Sequence, residues 1–223
     1  MNKIILCGSK KYKNINFDQL VDSFDVVVRH NWLSDTHGYG KKPADIQVLN
    51  GHMYDHWVIK NFNLDRIKKR YASYGQNSDT IIPYKEYITN CKEAQKYFSK
   101  SRRVLKKLNI FGGFGAGPRC GICSVLKYVE MGHKPFLIGY SLSLEEFSRH
   151  ATNSTHNIKS GSSYHRIQDE IVLLKELHFR GLIDASFCTI RDTVSLELDT
   201  GILTPTKESI NILSKIYNIE ENE

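Results

Sequence analysis

The N-terminus combines a short apolar run with a glycine-serine turn. Residues 3–7 read Lys-Ile-Ile-Leu-Cys and lead directly into Gly8 and Ser9. This pattern is typical of a buried parallel strand, and glycine lets the backbone approach a bound group to which the Ser9 hydroxyl can hydrogen-bond. Ligands of open α/β sheets bind outside the carboxyl ends of such strands. The turn therefore predicts a nucleotide-type site, with an ordinary strand-turn connection as the alternative.

Two further apolar segments end in polar residues. Residues 24–29 include three consecutive valines and lead to Asn31, whereas residues 46–49 lead to Asn50. β-branched residues favour strands, and the carboxyl ends of parallel strands meet at one edge of the sheet. Asparagine offers both a donor and an acceptor, which suits contact with a base edge or with sugar hydroxyls. We therefore expect Ser9, Asn31 and Asn50 to line one crevice.

The remaining pattern predicts an α/β fold. Strands are expected at 80–83, 135–139 and 185–190, and helices at 121–131, at 164–180 and after Pro205. We expect a single Rossmann-like domain over residues 1–223, with a mostly parallel sheet flanked by helices. Residues 141–163 contain few side chains to bury, which predicts a flexible lid.

The charge of the chain favours anionic partners. With 31 Lys and Arg residues against 24 Asp and Glu residues, the formal net charge is +7. The basic clusters at 66–70 and 102–107 are either solvated helix faces or surfaces for an acidic acceptor or anionic lipid headgroups. No apolar run approaches the ~20 residues of a membrane-spanning helix. Five cysteines, an odd number, favour reduced thiols in a cytoplasm.

A glycine-rich stretch at 111–121 precedes the helix predicted at 121–131. It does not fit the dinucleotide fingerprint, and no Walker lysine follows it. A backbone that approaches an anion at the helix start near Gly121 remains, and Arg119 there would add a charged contact. The strand at 135–139 ends in Gly139, followed by Tyr140 and Ser141, which we assign to the same nucleotide site.

His165 is the residue that we expect to carry chemistry. It lies where the polar segment enters the helix predicted at 164–180. The positive end of that helix disfavours imidazolium, which keeps the ring neutral, as a general base requires. Asp169, one turn later, can orient the ring. A surface histidine at a helix start is the alternative.

Cofactor chemistry has little support in the sequence. Cys120 and Cys123 have dithiol spacing, but they do not follow an early strand, and there is no second pair for zinc. His52 and His56 lack an evident third metal ligand. There is no Asp-x-Asp to hold a sugar diphosphate through a divalent ion. We therefore expect neither a cofactor nor a required metal.

In order and spacing, these segments resemble the sialyltransferases, most closely bacterial glycosyltransferase family 42. The family's catalytic histidine matches His165, and the His-x4-Glu of the related family 29 matches His165 and Glu170. The likeness covers roughly residues 1–190. The other matching segments are Gly8-Ser9, Phe24-Asp25-Val26, Arg29-His30-Asn31, Lys41-Lys42, Asn50, Cys120-Gly121 and residues 132–139.

The resemblance implies a GT-A-like sialyltransferase variant that moves a keto-sugar acid, sialic acid first, from its CMP donor to a glycan or glycolipid hydroxyl. The implied reaction is inverting and metal-independent, with His165 as the general base and Asp169 or Glu170 as its orienting group. Tyr164 and His156 would hold the leaving phosphate. The donor would be bound by Gly8, Ser9, Asn31, Asn50, Arg119, Cys120, Gly121, Gly139, Tyr140 and Ser141.

Two departures from the family leave the donor open. Ser9 replaces asparagine in the first turn, and Cys120 replaces the serine expected to meet the donor carboxylate. Arg119 can bind that carboxylate as a fork. CMP-Kdo carries the same carboxylate and leaving group, so a CMP-Kdo transferase is one alternative.

The expected setting is a bacterial cytoplasm and the biosynthesis of lipopolysaccharide or capsule glycans. Peripheral contact with the anionic inner membrane and a homo-oligomer are left open. A second alternative is a non-catalytic nucleotide- or nucleic-acid-binding module, although no nucleic-acid partner is expected. A third is an inactive transferase-like protein that binds a glycan.

Overall fold

The computed structural model describes residues 2–8, 10, 12, 14–30, 40–42, 44–49, 78–83, 119–143, 167–191 and 196–218. Strands and helices alternate along these residues, which confirms the predicted α/β class. In chain order the elements are β1 (Ile4–Cys7), α1 (Asp18–Asp22), β2 (Val26–His30), β3 (Ala44–Leu49), β4 (Ser78–Pro83), α2 (Cys120–Glu130), β5 (Phe136–Ile138), α3 (Ile167–Phe179), a 3-10 helix (Ser186–Thr189) and α4 (Lys207–Tyr217).

The five strands form a parallel sheet in the order β4-β3-β2-β1-β5. β1 lies between two neighbours, so that Leu6 is opposite Val28 on one side and Leu137 on the other. All four residues of β1 are buried, which explains why its sequence is a continuous apolar run rather than an alternating one. The chain builds outward from β1 to β4 and then returns to add β5 on the opposite side of β1. This reversal is the topological switch point, where open α/β sheets bind ligands.

Helices cover both faces of the sheet. On one face, α2 and α3 pack their leucines and valines against Leu6, Val28 and Val48. On the other face, α1 and α4 pack against β1, β2 and β5, for example through Leu20 and Leu213. The result is the three-layer arrangement expected of a Rossmann-like domain. Among the helices in the described part of the chain, none has the length and apolarity needed to cross a bilayer.

The prediction of a strand at 185–190 is wrong, because Ser186–Thr189 forms a 3-10 helix. The buried carboxylate of Asp184 accepts hydrogen bonds from the backbone N–H of Ser186, at 3.0 Å, and from its hydroxyl, at 2.6 Å. It also accepts one from the hydroxyl of Thr206. Such local side-chain bonds compete with a strand ladder. Asp184 itself makes an isolated bridge to Phe136, and pairing with the sheet stops there.

Candidate functional site

Two glycines bring the ends of β1 and β5 together at the switch point. The amide of Gly8 donates to the carbonyl of Ile138 at 2.7 Å, and the amide of Lys10 donates to the carbonyl of Gly139 at 3.0 Å. A Cβ atom on Gly8 would lie 2.6 Å from the carbonyl carbon of Gly139 and closer still to its oxygen. Gly139 has φ +75°, which favours glycine. The close neighbour of the Gly8 backbone is thus Gly139, and the pair lies at the switch point, where a crevice for a ligand is expected.

The start of α2 lies beside the end of β5. The Tyr140 hydroxyl donates to the carbonyl of Gly121 at 3.3 Å. A Cβ atom on Gly121 would lie 3.2 Å from the same tyrosine ring, so the two residues are in close contact. Tyr140 and Ser141 are both buried. Gly8, Gly121, Gly139, Tyr140 and Ser141, which the sequence assigned to nucleotide binding, therefore lie close together at the carboxyl edge of the sheet.

Arg119 and Glu170 bind each other. The Glu170 carboxylate, which is 1% exposed, accepts from the backbone N–H of Arg119 at 2.8 Å and from its side-chain Nε. Arg119 is the N-cap of α2, so the carboxylate lies at the positive end of that helix and stabilises it. The pair joins α3 to α2. The roles predicted from sequence, Arg119 toward a donor carboxylate and Glu170 toward His165, stay predictions beside this observed one.

Arg29 and Lys42, which belong to the segments that carry the family resemblance, have structural roles. The buried Arg29 guanidinium donates to the carbonyl of Lys42 at 2.8 Å. Asp22 of α1 accepts from the backbone N–H groups of Lys41 and Lys42, at 3.1 and 2.9 Å. These bonds fix the turn that leads into β3.

His30, at the carboxyl end of β2, is a candidate site residue that sequence reasoning missed. Its ring is buried, and its Nδ1 atom lies 2.9 Å from the carbonyl oxygen of Cys7. The Tyr140 ring meets it edge-on, with centroids 6.2 Å apart. Burial lowers the pKa of His30 from 6.5 to about 4, which keeps the ring neutral. The available signal was a histidine between Arg29 and Asn31 at the end of a buried strand.

The lowered pKa of His30 predicts a loss of stability in acid. The unfolded chain binds the proton at the ordinary pKa of 6.5, whereas the folded chain does so only near pH 4. The contribution is therefore complete above pH 6.5 and is lost as the pH falls toward 4. We expect about 2–3 kcal/mol of unfolding free energy to be lost between pH 7 and pH 4.5 through this residue. Urea unfolding at the two pH values should show a smaller decline for His30→Asn, and equal declines would contradict the assignment.

The other predicted site residues lie outside the described residues. They are Ser9, Asn31, Asn50, His156, Tyr164 and His165, together with the side chains of Cys120 and Asp169. Most of the predicted lid at 141–163 and both basic clusters lie outside as well. Within the described ranges, no three His, Cys, Asp or Glu side chains come together in a way that could hold a metal ion.

Comparison with known proteins relates the chain to solved sialyltransferase structures. No protein-family model matches it, and no curated protein sequence does. The sialyltransferase CstII from Campylobacter jejuni, solved with the substrate analogue cytidine-5'-monophosphate, superimposes with a TM-score of 0.50 at 14% identity. Two more C. jejuni structures match less well: the monofunctional α-2,3-sialyltransferase Cst-I and an α-2,3-sialyltransferase in apo form. Their TM-scores are 0.38 and 0.40, at 19% and 20% identity.

These matches differ in extent. The two less similar structures cover 80% of this chain and are themselves covered over 73% and 72%. The match to CstII covers 97% of this chain and 98% of that one. Over nearly its whole length, the chain therefore has a sialyltransferase-like fold.

Proposed function

We propose that this protein is a glycosyltransferase that moves a keto-sugar acid, sialic acid first, from its CMP donor to a hydroxyl of a glycan or glycolipid acceptor. The observation that supports it most is the convergence of Gly8, Gly121, Gly139 and Tyr140 at the β1–β5 switch point, in a fold shared with a sialyltransferase solved with CMP. Open α/β sheets bind nucleotides at this position. The family likeness in the sequence supports the same activity independently, because it depends on the order of motifs rather than on the fold.

The donor nucleotide would lie over the crevice floor formed by Gly8 and Gly139. Polar groups at the strand ends, from Ser9, Asn31, Asn50 and Ser141, would contact the ribose and the base. The anionic part of the donor would face the start of α2 at Cys120 and Gly121, where backbone N–H groups and the helix dipole favour negative charge. The Glu170 carboxylate, which accepts from the backbone N–H of Arg119, already neutralises part of the positive field at this helix start. The donor must therefore bind beside this ion pair or replace its hydrogen bonds.

In the reaction, the acceptor hydroxyl attacks the anomeric carbon while His165 takes its proton. A bond forms between the acceptor oxygen and the sugar, and the bond between the sugar and the CMP phosphate oxygen breaks, with inversion. Negative charge grows on the leaving phosphate, which Tyr164 and His156 would stabilise as hydrogen-bond donors. Closure of residues 141–163 would exclude water, which otherwise hydrolyses the donor. No step requires a metal ion.

A nucleotide panel tests this function. In EDTA, saturating CMP should raise the melting temperature by roughly 5–10 °C, since a ligand at a hundred times its Kd stabilises a protein by about 2.7 kcal/mol. UDP, GDP and NAD should have little effect. Release of CMP from CMP-sialic acid or CMP-Kdo, each with and without a lipopolysaccharide-type acceptor, then identifies the donor.

Two outcomes would reject the proposal. Binding to RNA or DNA that weakens steeply with salt, without a preference for CMP, would indicate the nucleic-acid-binding alternative. Binding of a glycan without any turnover of either CMP-sugar would indicate an inactive relative. Sedimentation with anionic vesicles would test separately whether the basic clusters contact a membrane.

A further inference from the structure

We propose that His30 is a specificity-determining residue of the same crevice, and that its Nε2 atom accepts a hydrogen bond from an amino or hydroxyl group of the bound nucleoside. The inference rests on the proposed function, because it needs a cytidine nucleotide at the switch point. It adds a residue that the family likeness does not assign to the donor.

The hydrogen-bonding state of the ring follows from its one protein partner. The carbonyl oxygen of Cys7, 2.9 Å from Nδ1, can only accept, so Nδ1 carries the hydrogen. A neutral ring with its hydrogen on Nδ1 has a lone pair on Nε2. His30 therefore offers an acceptor at the edge of the ring away from the Cys7 contact.

That acceptor is buried without a protein partner. His30 is 6% exposed, and no hydrogen bond to Nε2 is found in the part of the chain that the structure describes. His178 shows the usual arrangement for a buried histidine. There, Nε2 lies 2.9 Å from the carbonyl of Thr204, and Nδ1 accepts from the amide of Ala185 at 3.1 Å. An unsatisfied buried acceptor is costly, and a ligand is one of the few things that explains it.

The position of the ring places this acceptor at the carboxyl edge of the sheet. Side chains alternate along a strand, so His30 lies on the same face of β2 as Val28, which is the face that α2 covers. The ring contacts the last residue of β1 and the Tyr140 ring that follows β5. It therefore lies at the carboxyl ends of the two strands that border the switch point, next to the tyrosine that contacts the start of α2.

The chemistry of an acceptor selects what it binds. A phosphate or carboxylate in its ionised form offers only acceptors and cannot satisfy Nε2. Cytosine offers its 4-amino group, and the ribose offers its hydroxyls. Uracil has an oxygen in place of that amino group, which would face the Nε2 lone pair unfavourably. An amino contact would therefore also distinguish cytidine from uridine.

Two variants test the roles of the two ring nitrogens separately. In His30→Asn, the side-chain amide can still donate to Cys7, but the acceptor at Nε2 is lost. In His30→Gln, the side-chain oxygen reaches the position of Nε2, but the bond to Cys7 is lost. We expect the asparagine variant to weaken CMP binding, measured by calorimetry at pH 7.5, by about tenfold. We expect the glutamine variant to stay within about threefold of wild type while melting at a lower temperature.

His178→Asn is the matched control. It also truncates a buried histidine, but the ring of His178 contacts the amide of Ala185. Ala185 follows Asp184, which bridges to Phe136 at the start of β5. This variant should lower the melting temperature and leave the Kd for CMP unchanged. A merely structural role of His30 predicts the reverse order of the two variants, with the glutamine variant losing affinity and the asparagine variant keeping it. That order, or equal affinity in both, would overturn the proposal.

Nucleotide analogues identify the group that binds. If the partner is the 4-amino group, wild type prefers CMP to UMP, and His30→Asn reduces that preference. If it is a ribose hydroxyl, the effect of the variant disappears with 2'-deoxy-CMP or 3'-deoxy-CMP. Failure of wild type to bind any cytidine nucleotide would reject the proposed function and this inference together. Normal binding with no effect of His30→Asn would reject this inference alone.

Discussion

Replacing His165 by alanine is expected to lower the turnover of CMP-sialic acid by about 10²- to 10⁴-fold, the usual contribution of a positioned general base. Without the imidazole, the acceptor hydroxyl must lose its proton to water as it attacks the sugar. The donor does not depend on that proton transfer for binding. Calorimetry should therefore give a Kd for CMP close to that of wild type, whereas kcat measured by CMP release falls.

The neighbouring Arg166→Ala is the control for this variant. It changes the same predicted helix start but removes no group assigned to the reaction, so we expect its kcat to stay within about threefold of wild type. Full activity of His165→Ala would exclude the residue as the base. Equal losses in both variants would indicate that the helix start, rather than the imidazole, had been damaged.

Replacing Gly8 by alanine is expected to destabilise the protein by more than about 4 kcal/mol, which is exceptional for the addition of one methyl group. The new Cβ atom would meet the backbone of Gly139, 2.6 Å away at the carbonyl carbon. β1 cannot move aside easily, because it is hydrogen-bonded to neighbours on both sides and is fully buried. Urea unfolding followed by circular dichroism should show a large drop in the midpoint, or no folded protein at all.

Gly201→Ala provides the comparison. A Cβ atom there would lie 3.2 Å from the carboxylate oxygen of Asp199, a flexible side chain that can move. We expect a change below about 1 kcal/mol. A Gly8→Ala protein as stable as this control would mean that the backbones of Gly8 and Gly139 do not approach within van der Waals contact.

Much of the sheet is predictable from the sequence, because four of its five strands lead directly into a glycine or an asparagine. The run at 3–7 and the valines at 26–28 form β1 and β2 in register. The prediction failed at 185–190, where a similarly apolar segment is not a strand. There the deciding interaction is a buried carboxylate, Asp184, bonded to Ser186 and Thr206. Hydrophobic periodicity carries no information about such bonds.

The site is only partly predictable, for a related reason. That Gly8, Gly139 and Tyr140 lie close together could be predicted, because strand ends in a parallel sheet converge. The pairing of Arg119 with Glu170 could not, since the two residues are 51 positions apart and each had a plausible separate role. Likewise, a sequence shows that His30 follows a strand, but not which nitrogen of its ring has a protein partner. That distinction depends on the carbonyl of Cys7, on a different strand.

The ion pair between Arg119 and Glu170 has a mechanical consequence. Glu170 belongs to the first turn of α3 as described, five residues after His165, and Arg119 caps the helix that borders the crevice. The pair thus links the start of α3 to the start of α2. A motion of either helix that preserves this ion pair must carry the start of the other helix with it.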